Sequence, residues 1–210
     1  MSTSDSDNVY QAPEADAALP SESERPMRWL VVALDVCLAV SVATQVSLLI
    51  AFYAYGGSIW AMPPWALELG AISGYAYYAG CLIFLIFVYR AHRNARALGV
   101  RKLRVSSLGA VVRFLLPLAN LYLGYVVVRD LWKYSDKPHT NSPLVHYWWL
   151  AVLAYPTVGY FASGVVGAVY PDLVRWTVVT LSIAAAFLTS RVVHGIQARQ
   201  AARARRIAAE

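Results

Sequence analysis

Ionisable side chains inside the apolar stretches are the residues of this 210-residue chain whose positions could support chemistry. Asp35 lies six residues into the first stretch, and Arg113 lies six residues beyond Ser107 in a later one. A charged group at such a depth in a membrane is costly alone and usually pairs with an opposite charge. The sequence therefore predicts an Asp35–Arg113 pair, with separate snorkelling of each side chain to the interface as an equal alternative.

Basic residues form a second candidate set, because four arginines recur at a spacing that fits one helix face: Arg90, Arg93, Arg101 and Arg104. Such a face suits anionic lipid headgroups, at about 1 kcal/mol per residue near the membrane. The simpler interpretation, which we favour, is that these arginines only mark the cytoplasmic side. Arginine clustered beside apolar segments fits a membrane face better than a nucleic-acid surface, so no nucleic-acid partner is expected.

No common catalytic or metal-binding motif occurs: HExxH, GxSxG, a P-loop, CxxC and an acidic metal cluster are all missing from the sequence. The four histidines lie in different segments or loops (His92, His139, His146 and His194). Cys37 and Cys81 lie in apolar runs at matching depths, which indicates inert thiols and two spans packed as antiparallel neighbours. We therefore expect a protein that is not an enzyme and has no catalytic residue, cofactor or metal.

Composition assigns the chain to the membrane class, because 59% of the residues are hydrophobic and only 14% are charged. The length allows one domain of a few membrane helices. Residues 1–26 are polar and hold six of the twelve acidic residues, so we predict a disordered tail. This tail does not resemble a cleavable signal peptide.

Four apolar spans are predicted at about 29–55, 71–90, 146–169 and 176–193, within a membrane domain of residues 27–194. Residues 195–210 are predicted to form a basic helical tail. All seven tryptophans fall at the ends of predicted segments, where their rings prefer the headgroup layer. Residues 90–104 carry six Lys or Arg and residues 56–70 carry none, which places both termini in the cytoplasm.

The central segment 107–132 decides the topology. Pro117 removes a helix donor, so we predict a break between half-helices at about 107–116 and 119–132, with Asn94 and Asn120 hydrogen-bonding across the opened backbone. A segment that turns back gives four spans and places both basic clusters on one side. The predicted fold is therefore an all-α membrane bundle of four transmembrane helices plus a broken re-entrant or kinked segment, with five spans as the alternative.

Two sequence blocks carry a family resemblance. Residues 89–99 read YRAHRNARALG, and residues 117–121 read PLANL, followed by Tyr125, Arg129, Asp130 and Trp132. In this order the blocks resemble the bacterial domain-of-unknown-function 4328 family of multi-span membrane proteins. The chain departs from the family pattern at Ser106, Arg113 and Gly124. The resemblance implies a bacterial multi-span protein and implies no activity. We expect the protein in the bacterial inner membrane.

The expected function is a non-enzymatic membrane module that interacts with lipids or partner proteins through a basic cytoplasmic face. The alternative is a small transporter or channel built on the broken segment. A ridge of small residues predicts close helix packing, with homo-oligomerisation as the alternative: Gly159, Ser163, Gly164, Gly167 and Ala168. The candidate structural or binding residues are Asp35, Arg90, Arg93, Asn94, Arg113, Pro117, Asn120, Arg129 and Asp130.

Overall fold

The computed structural model describes residues 27–136, 140–162 and 169–209, and within these ranges the regular structure is all helical. The helices are α1 (Arg28–Ala54), a 3₁₀ turn (Ile59–Ala61), α2 (Pro64–Ala97), α3 (Ser107–Leu115), α4 (Pro117–Ser135), α5 (Pro143–Thr157), a π-helical turn (Val158–Ala162) and α6 (Pro171–Ala209). The predicted all-α class is confirmed. The acidic tail 1–26, His139 and all of the small-residue ridge except Gly159 lie outside the described residues.

Three of these helices, α1, α2 and α6, are long and apolar enough to cross a membrane. Helix α5 has 15 residues, and Pro156 lies in its last turn. Because proline has no N–H to donate to the preceding turn, the regular α-helix ends there and the chain continues as a π-helical turn. The predicted span 146–169 thus begins as α5, and residues 163–168 of it lie outside the described residues.

Prolines also set where two helices begin. Helix α2 begins at Pro64 rather than near residue 71, because proline is favoured in the first turn of a helix. Helix α6 begins at Pro171, so residues 171–175, which precede the predicted span 176–193, are helical. The helix continues through Gly195 to Ala209 without a break, and the predicted tail is therefore the last part of α6.

Helix α2 ends at Gly99, which has a φ of 76°. The Gly99 N–H donates to the Arg96 carbonyl at 2.9 Å, and the Val100 N–H donates to the Ala95 carbonyl at 3.0 Å. This is a Schellman motif, which needs the left-handed conformation that glycine supplies. The prediction of one helix face shared by Arg90, Arg93, Arg101 and Arg104 is therefore wrong, since the last two follow the reversal.

The central segment folds into a hairpin of α3 and α4. Helix α3 ends at Leu115, Leu116 is extended with φ −87° and ψ 109°, and α4 begins at Pro117. A Cβ built on Gly124 would lie 3.1 Å from the Phe114 ring, although ten residues of one straight helix span about 15 Å. Helix α3 therefore folds back along α4, and the predicted break at Pro117 is confirmed.

Packing differs between the two ends of the bundle. The end where α1 begins and α2, α4 and α6 finish is called the basic end, and it holds the main core; fully buried members include Phe87, Ala91, Val128, Leu131, Val193 and Ile196. A smaller cluster lies at the opposite end and consists of Ala51, Phe52, Met62 and Ala66. The interior between these two clusters contains the cavities described below.

Helices α1 and α2 are antiparallel neighbours joined by a short connection. A Cβ on Gly80 would lie 3.5 Å from the Cβ of Cys37, so the two spans touch at the depth of the cysteines. The Ser41 and Ser73 hydroxyls bond across the same contact, with Ser73 Oγ donating to the Ser41 carbonyl at 3.1 Å. The predicted neighbourhood of Cys37 and Cys81 is confirmed, and both cysteines are free thiols.

Candidate functional site

The last part of α6 closes the basic end with polar contacts. Gln200 is buried, and its Nε2 donates to the Ala91 carbonyl on α2 at 2.8 Å. Arg203 donates to the Leu98 carbonyl at 2.9 Å and to the Tyr134 carbonyl at 3.4 Å. The Leu98 and Tyr134 carbonyls lie at the C-terminal ends of α2 and α4, where helices leave acceptors unsatisfied, whereas the Ala91 carbonyl lies inside α2. The contacts hold three helix ends together.

Several basic side chains of the same end are exposed, and they include Arg93, Arg101, Lys102 and Arg104. Within the described part of the chain, no carboxylate lies within ion-pair distance of any of them. Arg90, in contrast, has an aromatic partner within the fold, because its guanidinium lies 5.4 Å from the centroid of the Trp29 ring. The basic end thus presents cations that are not neutralised within the described structure.

The residues of the second family block are used within the fold. Asp130 is buried, and its carboxylate accepts a bond from Arg129 at 2.8 Å. The Arg129 guanidinium also lies 5.6 Å from the centroid of the Tyr125 ring. The Tyr125 hydroxyl is 2.6 Å from His146 Nε2, a contact that sequence reasoning did not find. The Tyr125–His146 contact connects α4 to α5.

The predicted Asp35–Arg113 pair is not formed. Asp35 Oδ2 lies 2.8 Å from His194 Nε2, so α1 pairs with α6 instead. Arg113 lies on the hairpin, within electrostatic range of the buried His92 of α2. Equal depth does not make two residues neighbours, because α3 packs on α2 and α4 rather than on α1.

Asn94 and Asn120 are not brought together either. Asn94 lies near the end of α2, whereas Asn120 lies in the first turns of α4 and lines an interior cavity. The Asn120 Oδ1 atom is buried and has no hydrogen-bond partner among the described residues. The predicted bridge across the opened backbone is therefore wrong, and Asn120 faces a cavity instead.

Two tryptophans predicted for the headgroup layer are buried. Trp148 is 1% exposed and Trp149 is 7% exposed. Trp148 Nε1 donates to Thr189 Oγ1 at 3.0 Å, and Trp149 Nε1 donates to the Leu121 carbonyl on the hairpin at 3.0 Å. The prediction is wrong for this pair because the first turns of α5 pack against the main core. Both indole N–H groups find hydrogen-bond acceptors there.

The interior contains two cavities that share part of their walls. The inner cavity has a volume of about 400 Å³ and is bounded by α1, α2, the hairpin, α5 and α6. The outer cavity has a volume of about 560 Å³ and lies towards the opposite end. Gln45, Tyr77 and Tyr155 line both, and Gln45 Nε2 donates to the Tyr155 hydroxyl at 3.0 Å. The sequence signals for this site are Gln45, a polar residue within the first apolar stretch, and Asn120, which was a candidate residue of the central segment.

The fold and these sites define the class, a bundle of helices that includes three apolar enough to span a membrane. The chain belongs to the family described as "Domain of unknown function (DUF4328)", which it matches over residues 65–198. No curated protein and no solved structure matches the chain. The matched region includes almost all of α2 and continues into α6, and therefore contains the whole hairpin.

Proposed function

We propose that this protein is a non-enzymatic membrane module whose basic end binds anionic lipid headgroups at the cytoplasmic surface of a bacterial cell membrane. The observation that supports the proposal is a group of exposed cations without a carboxylate partner in the described structure, which includes Arg93, Arg101, Lys102 and Arg104. Near an anionic leaflet each is worth about 1 kcal/mol. Four together give a lipid contact of about 4 kcal/mol.

The proposed topology has four crossings, by α1, α2, α5 with its continuation, and α6. The hairpin enters from the basic end and returns to it, so both termini are cytoplasmic. The charge count supports this arrangement, because residues 90–104 carry six Lys or Arg and residues 56–70 carry none. A reporter fused after Glu210 tests it, and a periplasmic signal would contradict it.

Trp29 and Arg90 support the depth of the basic end in the membrane. Trp29 is 57% exposed, and the Arg90 guanidinium lies over its ring. Tryptophan rings and arginine side chains both favour the headgroup layer. The reversal at Gly99 then places Arg101, Lys102 and Arg104 just beyond α2, on the water side of this layer.

The test compares the full-length protein in nanodiscs of neutral lipid with nanodiscs in which about a third of the lipid is anionic. Native mass spectrometry counts the anionic lipids that stay bound. An Arg101→Gln/Lys102→Gln/Arg104→Gln variant should retain at least fivefold less anionic lipid, because it loses three charges near the surface. An Arg101→Lys/Arg104→Lys variant keeps the charge and should behave like the wild type. Equal retention by the neutralised variant would overturn the proposal.

The two adjoining cavities favour a second candidate function, that of a small transporter or channel. The Gln45–Tyr155 bond would then separate an inner compartment from an outer one, at mid-depth in the bundle. Glycerol efflux from proteoliposomes, followed by stopped-flow light scattering, tests this candidate. Transport predicts a rate above that of empty vesicles and a changed rate for Gln45→Leu. A rate equal to that of empty vesicles would exclude glycerol transport.

A further inference from the structure

The described carboxylates are almost all engaged elsewhere in the fold. The described residues contain five, and four of them contact a basic side chain: Asp35 with His194, Asp130 with Arg129, Asp136 with Arg206 and Asp172 with Arg175. The fifth, Glu68, lies in the first turns of α2, at the opposite end of the bundle. No carboxylate in the described part of the chain is therefore both unpaired and near the exposed cations of the basic end, which include Arg28, Arg93, Arg101, Lys102 and Arg104.

Half of the carboxylates of the chain lie in the acidic tail, residues 1–26, outside the described residues. There are six of them: Asp5, Asp7, Glu14, Asp16, Glu22 and Glu24. The same stretch contains one basic residue, Arg25, so six negative charges against one positive charge give it a formal side-chain charge of −5. The acidic tail and the exposed cations are thus complementary in charge.

The structure places the end of the acidic tail beside these cations. Met27, which directly follows the tail, is 4% exposed and belongs to the main core of the basic end. Two residues later the Trp29 ring contacts the Arg90 guanidinium, so the start of α1 touches the last turns of α2. Glu24 lies three residues before Met27, and a chain extends at most about 3.6 Å per residue, so the two Cα atoms are within about 11 Å. In a membrane the acidic tail therefore begins on the same side as the basic end.

This tether favours a contact within one chain. An ion pair between exposed side chains contributes little alone, so the contact needs several pairs at once. A segment joined to its target by a short connection acts at an effective concentration on the order of mM, which free anions of the solvent reach only as weakly bound competitors. Salt should weaken such a contact, because the Debye length is about 8 Å at physiological ionic strength.

From this placement we infer that the acidic tail, residues 1–26, docks on the exposed cations of the basic end of its own chain. Several carboxylates share the cations, and no single pair fixes the contact. Because the same cations are proposed to bind anionic headgroups, the docked tail competes with lipid. This competition rests on the proposed function, whereas the docking does not.

Zero-length carbodiimide coupling, which joins a carboxylate to an amine, tests the docking. Lys102 is exposed among the cations, so its amine reports on carboxylates held there. Full-length protein is treated at one copy per nanodisc of neutral phosphatidylcholine, and coupled peptides are identified by mass spectrometry. Lys102 should couple to carboxylates of residues 1–26, and about 0.5 M salt should lower the yield about fivefold because it shortens the Debye length. Coupling at background would overturn the inference, and so would coupling that appears only in vesicles holding many copies.

A matched variant separates docking from random collision of a tethered chain. Arg93→Gln/Arg101→Gln/Arg104→Gln keeps Lys102 and all six carboxylates, so the coupling chemistry is unchanged and only the surrounding charge is lost. The yield should fall about fivefold, as it does in high salt. Arg175→Gln, beside the Phe52 ring at the opposite end, should leave the yield unchanged. An undiminished yield in the triple variant would overturn the inference.

The competition is tested by anionic lipid retention, measured by native mass spectrometry in nanodiscs that contain anionic lipid. The test variant changes all six tail carboxylates to amides: Asp5→Asn, Asp7→Asn, Glu14→Gln, Asp16→Asn, Glu22→Gln and Glu24→Gln. It should retain at least about twofold more anionic lipid than the wild type, because the cations are no longer covered. No increase would overturn the competition if Arg101→Gln/Lys102→Gln/Arg104→Gln still lowers retention. If neither variant changes retention, the proposed function is what fails, and the coupling of Lys102 still decides the docking.

Discussion

The two ends of the bundle are stabilised in different ways. The basic end has a dense apolar core in which Phe87, Val128 and Leu131 are at most 1% exposed, and α6 covers the carbonyls at the ends of α2 and α4. The opposite end has a cluster of four residues, and the two cavities lie between this cluster and the main core. Its helices contact one another through polar pairs such as Ser41–Ser73 and Gln45–Tyr155. One end is closely packed, and the region beyond it contains the cavities.

The largest expected effect is the loss of a leucine from the core of the basic end. Leu131 is fully buried, so Leu131→Ala leaves a cavity and should lower the free energy of unfolding by about 2–5 kcal/mol. Leu67 lines the outer cavity and is 57% exposed, so Leu67→Ala should cost far less. Unfolding in mixed micelles of increasing denaturing detergent measures both. Equal losses would show that the two halves are packed alike.

An intermediate effect is expected from one change made in both halves, glycine to alanine. A Cβ on Gly195 would clash with the Trp132 ring, and the Arg199 guanidinium lies 5.6 Å from the centroid of the same ring, so Gly195→Ala should destabilise by about 1–3 kcal/mol. A Cβ on Gly74, beside the outer cavity, meets nothing within 4 Å. Gly74→Ala should stabilise α2 by about 0.5–1 kcal/mol.

The sign of the change, read from thermal unfolding in detergent, separates the two halves. A destabilising Gly74→Ala would mean that the outer cavity is closed in solution. A neutral Gly195→Ala would mean that the Trp132 ring is free to move aside, and that the contact between α4 and α6 is loose.

The smallest effect concerns the contact that replaces the predicted pair. Asp35 and His194 are 34% and 54% exposed as side chains, so their coupling should not exceed about 1 kcal/mol. A double-mutant cycle with Asp35→Asn and His194→Gln should show this coupling. The matched cycle with Asp35→Asn and Arg113→Gln should be additive within about 0.5 kcal/mol. Coupling only in the second cycle would restore the Asp35–Arg113 pair.

The parts of the fold that the sequence predicts are those set by local chemistry. Pro117 breaks the central segment because proline has no N–H to donate and its ring clashes with the preceding turn. Both effects are independent of the surrounding structure. Long apolar runs identify α1, α2 and α6 by length alone. Gly99 is different, since a single glycine in a helical pattern is tolerated as often as it ends a helix, and the sequence predicts the arginines on its two sides as one face.

Lateral neighbours within the bundle could not be predicted. Counting residues from the membrane surface gives the depth of Asp35, Arg113 and His194, but not the direction in which each side chain points around the bundle axis. The same limit hides the burial of Trp148 and Trp149, whose place at a segment end fits a headgroup position equally well. Cavities depend on how five or more helices pack together, and no local pattern encodes their volume.

The contact between Gln200 and the Ala91 carbonyl has a consequence for how the protein is made. The two residues are 109 positions apart, and Val193 and Ile196 of the same helix belong to the main core. Synthesis proceeds from the N-terminus, so α1 to α5 leave the ribosome before the last side of this core exists. The side of the hairpin that faces the core is therefore not buried until α6 has been synthesised and packs against it. The densest part of the protein is therefore the part whose assembly is completed last.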